Sequence, residues 1–313
     1  MDLRQLKYFV AVAEQENFSR AAQQLYVAQS ALSRRMRALE EELGVRLFER
    51  HLRGAALTPE GRDLLERARY LLRSVEQLRS DVSGPRALPS GPVGVGMTPN
   101  FANVAGAAFA AEVRKRYPQA QLRIVEAYSP ELREMVRHGT LDMAVLSGNA
   151  PVPVPSLAIE PLFRDQLCLI GLASDPLLRG REVGIQQIGG LPLILTGMSS
   201  AGVRNEIEAL ASRKRVQLQV AVEVASIGLA TQMIRLGMGY TVYVAAGMAG
   251  EEDLAAVPIT GLWLHRSLAW SLERPMSRLG GEVLALLRTH LHELVASGGW
   301  RGARPLRASR SSR

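Results

Sequence analysis

The sequence is poor in cysteine, and Cys168 is the only one among its 313 residues. A lone cysteine excludes an intrachain disulfide framework. Because Cys168 stands within the apolar run of residues 167–172, it is predicted to be a buried strand residue. A redox role for its thiol is the less favoured alternative.

Long apolar segments are also missing, since no run approaches the roughly 20 apolar residues that a membrane-spanning helix needs. The first ten residues form an amphipathic start and do not have the pattern of a signal peptide. These two absences predict a soluble cytoplasmic protein that has no membrane partner.

Residue groupings typical of enzymes and metal sites are absent as well. The histidines at positions 51, 138, 265, 290 and 292 have no ligand-set spacing, and His290 and His292 do not share a helix face. No Gly-x-Ser-x-Gly elbow, Walker loop or complete dinucleotide fingerprint occurs. We therefore expect no catalytic activity and neither a cofactor nor a metal.

Positive charge is what the chain has in excess. The formal net charge of +8 and the pI near 10.1 suit a polyanionic partner such as DNA. Part of the excess lies in residues 298–313, which combine arginine with glycine, serine and proline and are predicted to be a disordered basic tail. The length and the 47% hydrophobic content predict about two globular domains or slightly more.

Residues 30–43 predict an amphipathic helix that could enter a DNA groove, with Ser30 as its N-cap and Gly44 as its C-cap. One face is apolar, at Leu32, Met36, Leu39 and Leu43. The opposite face is polar and cationic near the helix N-terminus, at Ser30, Ser33, Arg34 and Arg37. An amphipathic surface helix with solvated arginines is the alternative.

Neighbouring segments are those of a helix-turn-helix with a wing. Ser19 can cap a preceding helix, a short break follows at residues 26–29, and the second helix of such a motif reads the major groove. Residues 45–48 and 55–57 are predicted to be two short strands with a basic tip, where Gly54 supplies the turn.

From about residue 3 to about residue 72, the chain resembles LysR-type transcriptional regulators, without a gap. The matching positions are Phe9, Ala13, Phe18, Ser19, Ala21, Ala22, Leu25, Gln29, Ser30, Ala31, Leu32, Ser33, Leu39, Glu40, Leu43, Gly44, Leu47, Phe48, Arg50, Leu57, Thr58 and Gly61. The resemblance implies an N-terminal winged helix-turn-helix at residues 1–58 that binds promoter DNA. It also implies a dimer of dimers on an interrupted dyad, DNA bending and contact with RNA polymerase.

The helix surface assigns DNA contacts. We expect Gln29, Ser30, Ser33 and Arg34 to reach base edges, and Arg34 could hold a guanine with two hydrogen bonds. Arg37 lies on the same face. Phosphate contacts are expected from Ser19, Arg50 and Arg53.

Residues 59–82 are predicted to be a linker helix that mediates dimerisation. Thr58 is a good N-cap with Pro59 at the first helical position. Apolar residues follow at heptad spacing, at Leu64, Ala68, Leu71, Val75 and Leu78. A partner chain would bury this stripe, in agreement with the family resemblance; a helix packed on its own domain is the alternative.

Residues 83–92 are dense in glycine, serine and proline and are predicted to be a hinge. Beyond it, strands and helices alternate, which predicts an α/β domain with mostly parallel sheets. The predicted strands are residues 93–97, 121–126, 142–146, 166–171, 193–196, 218–224, 240–244 and 264–272. The predicted helices are residues up to 117 after the first strand, then 130–138, 201–213, 227–236 and 277–295.

The family resemblance implies a two-lobed effector domain like the type 2 periplasmic binding proteins. Lobe I would comprise residues 93–161 and 266–297, and lobe II residues 162–265, with crossings near Leu162 and His265. Ligands of open α/β sheets bind at strand ends, where helix N-termini favour anionic groups.

Hydroxyl and amide side chains at those strand ends predict a site for a small effector that carries a carboxylate. The predicted contacts are Thr98, Asn100, Ser129, Thr196, Ser199 and Ser226. Each could instead be an ordinary helix cap. A regulator that works without a small ligand, like nitrogen assimilation control regulators, is the functional alternative.

Overall fold

The structure, a computed structural model, describes residues 1–51, 54–82, 89–148, 154–197 and 202–306. The chain divides into two compact units, one of residues 1–92 with 138–140 and the other of residues 93–137 and 141–313. In the described residues no helix is both long and apolar enough to cross a membrane.

The first unit is helical with a two-stranded wing. Its elements are α1 (Leu3–Gln15), α2 (Phe18–Gln24), α3 (Gln29–Leu43), β1 (Phe48–His51), β2 (Gly54–Leu57) and α4 (Pro59–Val82). Its core is formed by the buried faces of α1, α2, α3 and the wing, where the rings of Phe9 and Phe18 both lie 5.4 Å from that of Phe48. These elements confirm the predicted helix-turn-helix and wing.

The N-caps of α2 and α3 differ from the predicted ones. Asn17, and not Ser19, caps α2, since its side chain accepts hydrogen bonds from the backbone N–H groups of Ser19 and Arg20. Helix α3 begins one residue earlier than predicted, with Ala28 as an N-cap that offers no side-chain acceptor in place of Ser30. The C-cap at Gly44 is as predicted, with a left-handed backbone at φ 69°.

The wing begins later than predicted, because residues 45–47 precede β1 and residues 49–51 belong to it. β1 and β2 pair antiparallel, with His51 opposite Gly54. Gly54 is therefore a strand residue and not the turn: a Cβ there would meet the carbonyl oxygen of Glu16 at 2.5 Å. Leu52 and Arg53 lie outside the described residues.

The linker helix α4 uses its apolar stripe in two ways. Thr58 caps it as predicted, accepting a hydrogen bond from Gly61 N at 3.0 Å. Ala68 is fully buried in the core of its own unit, and Leu64 packs against that core, so this part of the stripe does not need a partner chain. Leu71 and Leu78 remain 43% and 63% exposed.

The second unit is an α/β structure. Its elements are β3 (Gly91–Met97), α5 (Pro99–Phe101), α6 (Ala107–Arg116), β4 (Ala120–Glu126), α7 (Ser129–Arg137), β5 (Met143–Gly148), β6 (Leu157–Leu172), α8 (Ile185–Ile188), β7 (Pro192–Thr196), α9 (Gly202–Lys214), β8 (Gln219–Val224), α10 (Ile227–Arg235), β9 (Thr241–Val244), β10 (Leu254–Ser271), α11 (Arg278–Ala296) and β11 (Ala303–Pro305). A π-helical turn, Ala102–Gly106, interrupts the helix predicted up to residue 117.

One sheet has the strand order β11-β6-β10-β5-β3-β4, with β9 also paired to β6. A second sheet pairs β7 with β8 in parallel. The hydrophobic side chains form separate clusters, one around the β3–β5 side with α6 and α11 and one around β7, α9 and α10. These two cores lie in the same unit, together with a smaller cluster around α7 and β5.

Two strands are much longer than predicted. β6 has 16 residues and β10 has 18, and they pair antiparallel through both clusters. The predicted crossings near Leu162 and His265 therefore fall inside continuous strands. Residues 157–165 include the charged side chains of Glu160, Arg164 and Asp165, and residues 254–263 include Pro258 and Gly261. These residue types concealed the two strand halves in the sequence.

The C-terminal segment departs most from the prediction of disorder. Residues 298–306 are described, and β11 pairs antiparallel with β6. Trp300 is 1% exposed, with its ring 5.0 Å from that of Phe163 and 5.3 Å from that of Phe101. Burial of this large aromatic side chain outweighs the polar composition around it. Residues 307–313 lie outside the described residues.

Candidate nucleic-acid interface and ligand cavity

The outer surface of α3 carries most of the side chains predicted to read DNA. Gln29, Ser30, Arg34 and Arg37 are exposed. Ser33 is an exception, because it is only 4% exposed and its hydroxyl accepts a hydrogen bond from Gln29 Nε2 at 3.3 Å. The helical wheel places Ser33 beside Leu32 and Met36, so its small side chain fits the buried face.

The N-terminus of α3 is suited to an anion. Its cap residue Ala28 makes no side-chain hydrogen bond to the first turn, so no side chain competes for these N–H groups. Ser19 is exposed in the first turn of α2. The Arg50 side chain and Arg53 are not among the parts of the chain that the structure describes.

An acidic side chain near the C-terminal end of α3 binds the backbone at the start of the wing. Glu40 Oε1 accepts hydrogen bonds from the backbone N–H groups of Leu47 and Phe48, at 2.8 and 3.2 Å. Glu40 therefore fastens the start of the wing to α3.

Arg35 turns away from the reading surface, with its guanidinium 5.6 Å from the centre of the Tyr8 ring.

A cavity of about 330 Å³ lies within the second unit at the ends of several strands. It brings together five of the six side chains predicted to contact an effector; Ser199 is outside the described residues. Its polar lining consists of Thr98, Asn100, Asn103, Glu126, Tyr128, Ser129, Ser147, Thr196, Ser226 and Tyr243. Strand-end placement was thus sufficient to find half of the polar lining residues in the described chain.

The floor of the cavity rests on a buried ion pair that the sequence analysis missed. Arg266 of β10 and Asp165 of β6 are both 0% exposed, and Arg266 Nη2 donates to Asp165 Oδ2 at 2.8 Å. Trp300 Nε1 donates to the same oxygen at 2.9 Å. Removing one member of such a pair leaves an uncompensated buried charge, which costs about 3–5 kcal/mol.

Arg266 also fixes the polarity of the cavity floor. Its Nη1 donates to Asn100 Oδ1 at 2.9 Å and to Ser147 Oγ. A guanidinium has donors only, so the oxygen of the Asn100 amide must face it. The Asn100 NH₂ group, which donates no hydrogen bond within the described residues, is left for the cavity. Arg266 therefore makes the floor a hydrogen-bond donor without lining it.

The predicted hydroxyl contacts are not equivalent. The Ser129 hydroxyl donates to the Ser147 carbonyl oxygen at 2.7 Å and accepts from Ser147 N at 2.9 Å, so its proton is already committed. Ser226 Oγ accepts from Leu229 N at 3.2 Å as the cap of α10. The Thr196 hydroxyl has no hydrogen bond within the described part of the chain and is free for a ligand.

The signals for the missed residues differ. Ser147 follows the apolar run of residues 143–146, so the rule of polar strand ends could have found it. Glu126 likewise ends β4. Arg266 and Asp165 gave no such signal, because a charged residue in a strand ordinarily indicates an exposed face.

Cys168 is a buried residue of β6, as predicted, at 2% exposure. Burial raises the pKa of its thiol to about 12. The thiol is therefore protonated at neutral pH, where the thiolate is the reactive form. Across the described residues no group of three or more histidine, cysteine or acidic side chains is placed to hold a metal ion.

Comparison with known proteins agrees with both units. The family described as bacterial regulatory helix-turn-helix protein, lysR family, matches residues 3–62, and the LysR substrate binding domain matches residues 86–292. The chain is 34% identical to HTH-type transcriptional regulator BbuR of Bordetella bronchiseptica, over 96% of this chain and 94% of that protein. It is 32% identical to nitrogen assimilation regulatory protein nac of Klebsiella aerogenes, over 88% and 91% of the two chains.

The fold is shared with full-length CbnR in the crystal structure of its target DNA complex. The TM-score is 0.69 at 23% identity, covering 94% of this chain and 99% of that one. This likeness confirms the predicted fold class, a helical winged helix-turn-helix followed by an α/β domain. The matches of both family models and the high coverage of the relatives lead to one conclusion: the chain belongs to the LysR family of transcriptional regulators, with a helix-turn-helix for DNA and a substrate-binding domain.

Proposed function

We propose that this regulator binds specific promoter sites through α3, and that a small effector with an anionic group controls it from the cavity of the substrate-binding domain. The observation that carries the proposal is the cavity floor, where Arg266 turns the Asn100 amide so that its donors face the ligand. The protein acts in the cytoplasm, where the promoter DNA is, and it has no enzymatic activity of its own.

The domain assignment follows the division of labour within the chain. Residues 1–58 bind DNA, 59–82 form the linker helix and 83–92 the hinge. Residues 93–161 with 266–297 form lobe I, and residues 162–265 form lobe II. The boundaries near residues 161 and 265 fall within β6 and β10, so each lobe boundary is a position along a continuous strand.

In the DNA complex, Gln29, Ser30 and Arg34 contact base edges and Arg37 lies on the same surface. Ser19, Arg50 and Arg53 contact phosphates, which contribute affinity without sequence information. Ser33 supports this surface from its buried position by accepting the Gln29 hydrogen bond.

Arg34→Ala is expected to reduce discrimination between specific and random DNA by about 1–3 kcal/mol, because one bidentate base contact is lost. Arg53→Ala should weaken binding to both kinds of DNA alike. Fluorescence anisotropy at fixed salt, with a site selected from a random library by the unaltered protein, measures both effects.

Arg35→Ala is the matched control for Arg34→Ala, because Arg35 is exposed in the same helix but faces Tyr8. It should retain discrimination. If Arg34→Ala lowers the affinity for selected and random DNA by the same factor, Arg34 does not read bases.

Self-association places two reading helices on two half-sites, and the exposed apolar residues of α4 are its proposed contacts. Leu71 and Leu78 provide the exposed part of the stripe, whereas Leu64 and Ala68 contribute mainly to the unit's own core. Val75 lies between them at half burial. We propose a dimer that pairs into a dimer of dimers on an interrupted dyad, bends the DNA and contacts RNA polymerase.

Leu78→Glu is expected to shift the protein toward smaller assemblies, because it places a charge in the proposed interface. Light scattering coupled to gel filtration at micromolar concentration measures the mass. Leu272→Glu is the control, since Leu272 is equally exposed at 63% but lies outside α4. Equal masses for Leu78→Glu and the unaltered chain would exclude this helix end from the interface.

The role of the cavity is tested most cleanly at Thr196, whose hydroxyl lines it and has no hydrogen bond within the described residues. Thr196→Val preserves the shape and removes that hydroxyl. A promoter–reporter fusion in the host should then need roughly 10- to 150-fold more effector or inducing stimulus, since a hydrogen bond to a charged group contributes about 1.5–3 kcal/mol.

Thr289→Val, on the exposed face of α11, is the matched control and should respond normally. DNA affinity without inducing stimulus should be unchanged in both variants. An unaltered response of Thr196→Val, together with Thr98→Ala and Ser129→Ala, would favour the alternative of a regulator that acts without a small ligand.

A further inference from the structure

The cavity has one charged side chain among its described lining residues, and that side chain is the carboxylate of Glu126. No lysine, arginine or histidine of the described lining offsets it. Glu126 is exposed, and it has neither a hydrogen bond nor an ion pair with any residue that the structure describes. An unneutralised carboxylate at a ligand cavity favours a ligand that brings a cationic or hydrogen-bond donor group.

Glu126 stands close to the donor floor. It is the last residue of β4, and the next residue, Ala127, donates its N–H to the Met97 carbonyl oxygen at 3.3 Å. Thr98 directly follows Met97, so Glu126 and Thr98 occupy the neighbouring ends of adjacent strands. Burial is the main cause of the raised pKa of Tyr243 on the cavity wall, and the nearby charge of Glu126 raises it further, which agrees with a carboxylate that lines the cavity.

The two sides of the cavity therefore favour groups of opposite charge on one ligand. The Arg266-fixed Asn100 amide offers donors and accommodates a carboxylate, whereas Glu126 accepts hydrogen bonds and accommodates an ammonium group. Neighbouring strands lie roughly 5 Å apart, a separation that a small amino carboxylate can span. Val203 and Ile227 add apolar lining for a side chain.

We propose that the effector is a small zwitterionic amino carboxylate, bound with its carboxylate on the Asn100 side and its ammonium group against Glu126. This rests on the proposed function, because it names the chemical class of ligand for the same cavity. A ligand with a carboxylate alone would leave Glu126 facing an anion, and a simple amine would leave the donor floor without an acceptor.

The test uses the full-length protein and defined probes. The twenty standard amino acids, 3-aminopropanoate and 4-aminobutanoate are screened at millimolar concentration by thermal shift. Each compound that stabilises the protein is then compared by calorimetry with its matched carboxylic acid and matched amine, for example leucine with 4-methylpentanoate and 3-methylbutylamine. The expected result is that an amino carboxylate binds at least fivefold tighter than both of its matched compounds.

Variants of Glu126 test whether this one side chain causes the tighter binding of an amino carboxylate. Glu126→Gln should abolish the advantage of the amino carboxylate over its acid, and Glu126→Lys should reverse the order so that the acid binds tighter. Glu131→Gln is the matched control: it removes an exposed carboxylate at the start of α7 that does not line the cavity, and it should leave the order unchanged.

Three results would overturn the proposal. They are a matched acid that binds as tightly as its amino carboxylate, an unchanged preference in Glu126→Gln, and a screen in which no amino carboxylate stabilises the protein. A plain acid whose binding weakens in Thr196→Val would refute the zwitterion while supporting effector control. The reporter response of Thr196→Val judges effector control separately.

Discussion

The guanidinium of Arg266 connects parts of the substrate-binding domain that are distant in sequence. It joins β10 to β6 through Asp165, to the residues after β3 through Asn100, and to β5 through Ser147. Trp300 brings the C-terminal segment to the same carboxylate. Asp165 Oδ1 and Arg266 Nε are buried without hydrogen-bond partners among the described residues. Because a buried pair of this kind adds little net stability, its benefit lies in orienting the cavity floor.

We propose that the two regions accept anionic groups by different means. On α3, exposed arginines and a helix N-terminus without a side-chain cap provide a positive surface in water, suited to a long polyanion. In the cavity, no described lining residue is a cation. The donors of the Asn100 amide, which the buried Arg266 holds in place, would contact the anionic group instead. Fixed donors in a confined site select a ligand by geometry, whereas arginines that contact phosphates contribute affinity without sequence information.

The sequence was informative where local patterns decide the structure. Helical and heptad spacing and the Thr58 cap were enough for the helix-turn-helix and the linker helix. Polar residues at strand ends were enough for half of the polar cavity lining. Features that depend on contacts between residues far apart in the sequence could not be predicted from local patterns. Trp300 is buried against Phe163, some 140 residues away, so its polar surroundings indicated disorder. Gly54 is required by the carbonyl of Glu16, and Ser33 by packing within the domain, so neither could be assigned from neighbouring residues.

We propose that the chain recognises specific promoters and that its cavity governs this recognition. The decisive experiment is genome-wide mapping of its binding sites in its own host, by crosslinking and sequencing under different growth conditions. We expect a small number of sharp peaks at promoters, a shared dyad motif, and an occupancy or footprint that changes with growth condition. Broad occupancy without a motif, identical in every condition, would contradict it and indicate a chromosomal binding protein.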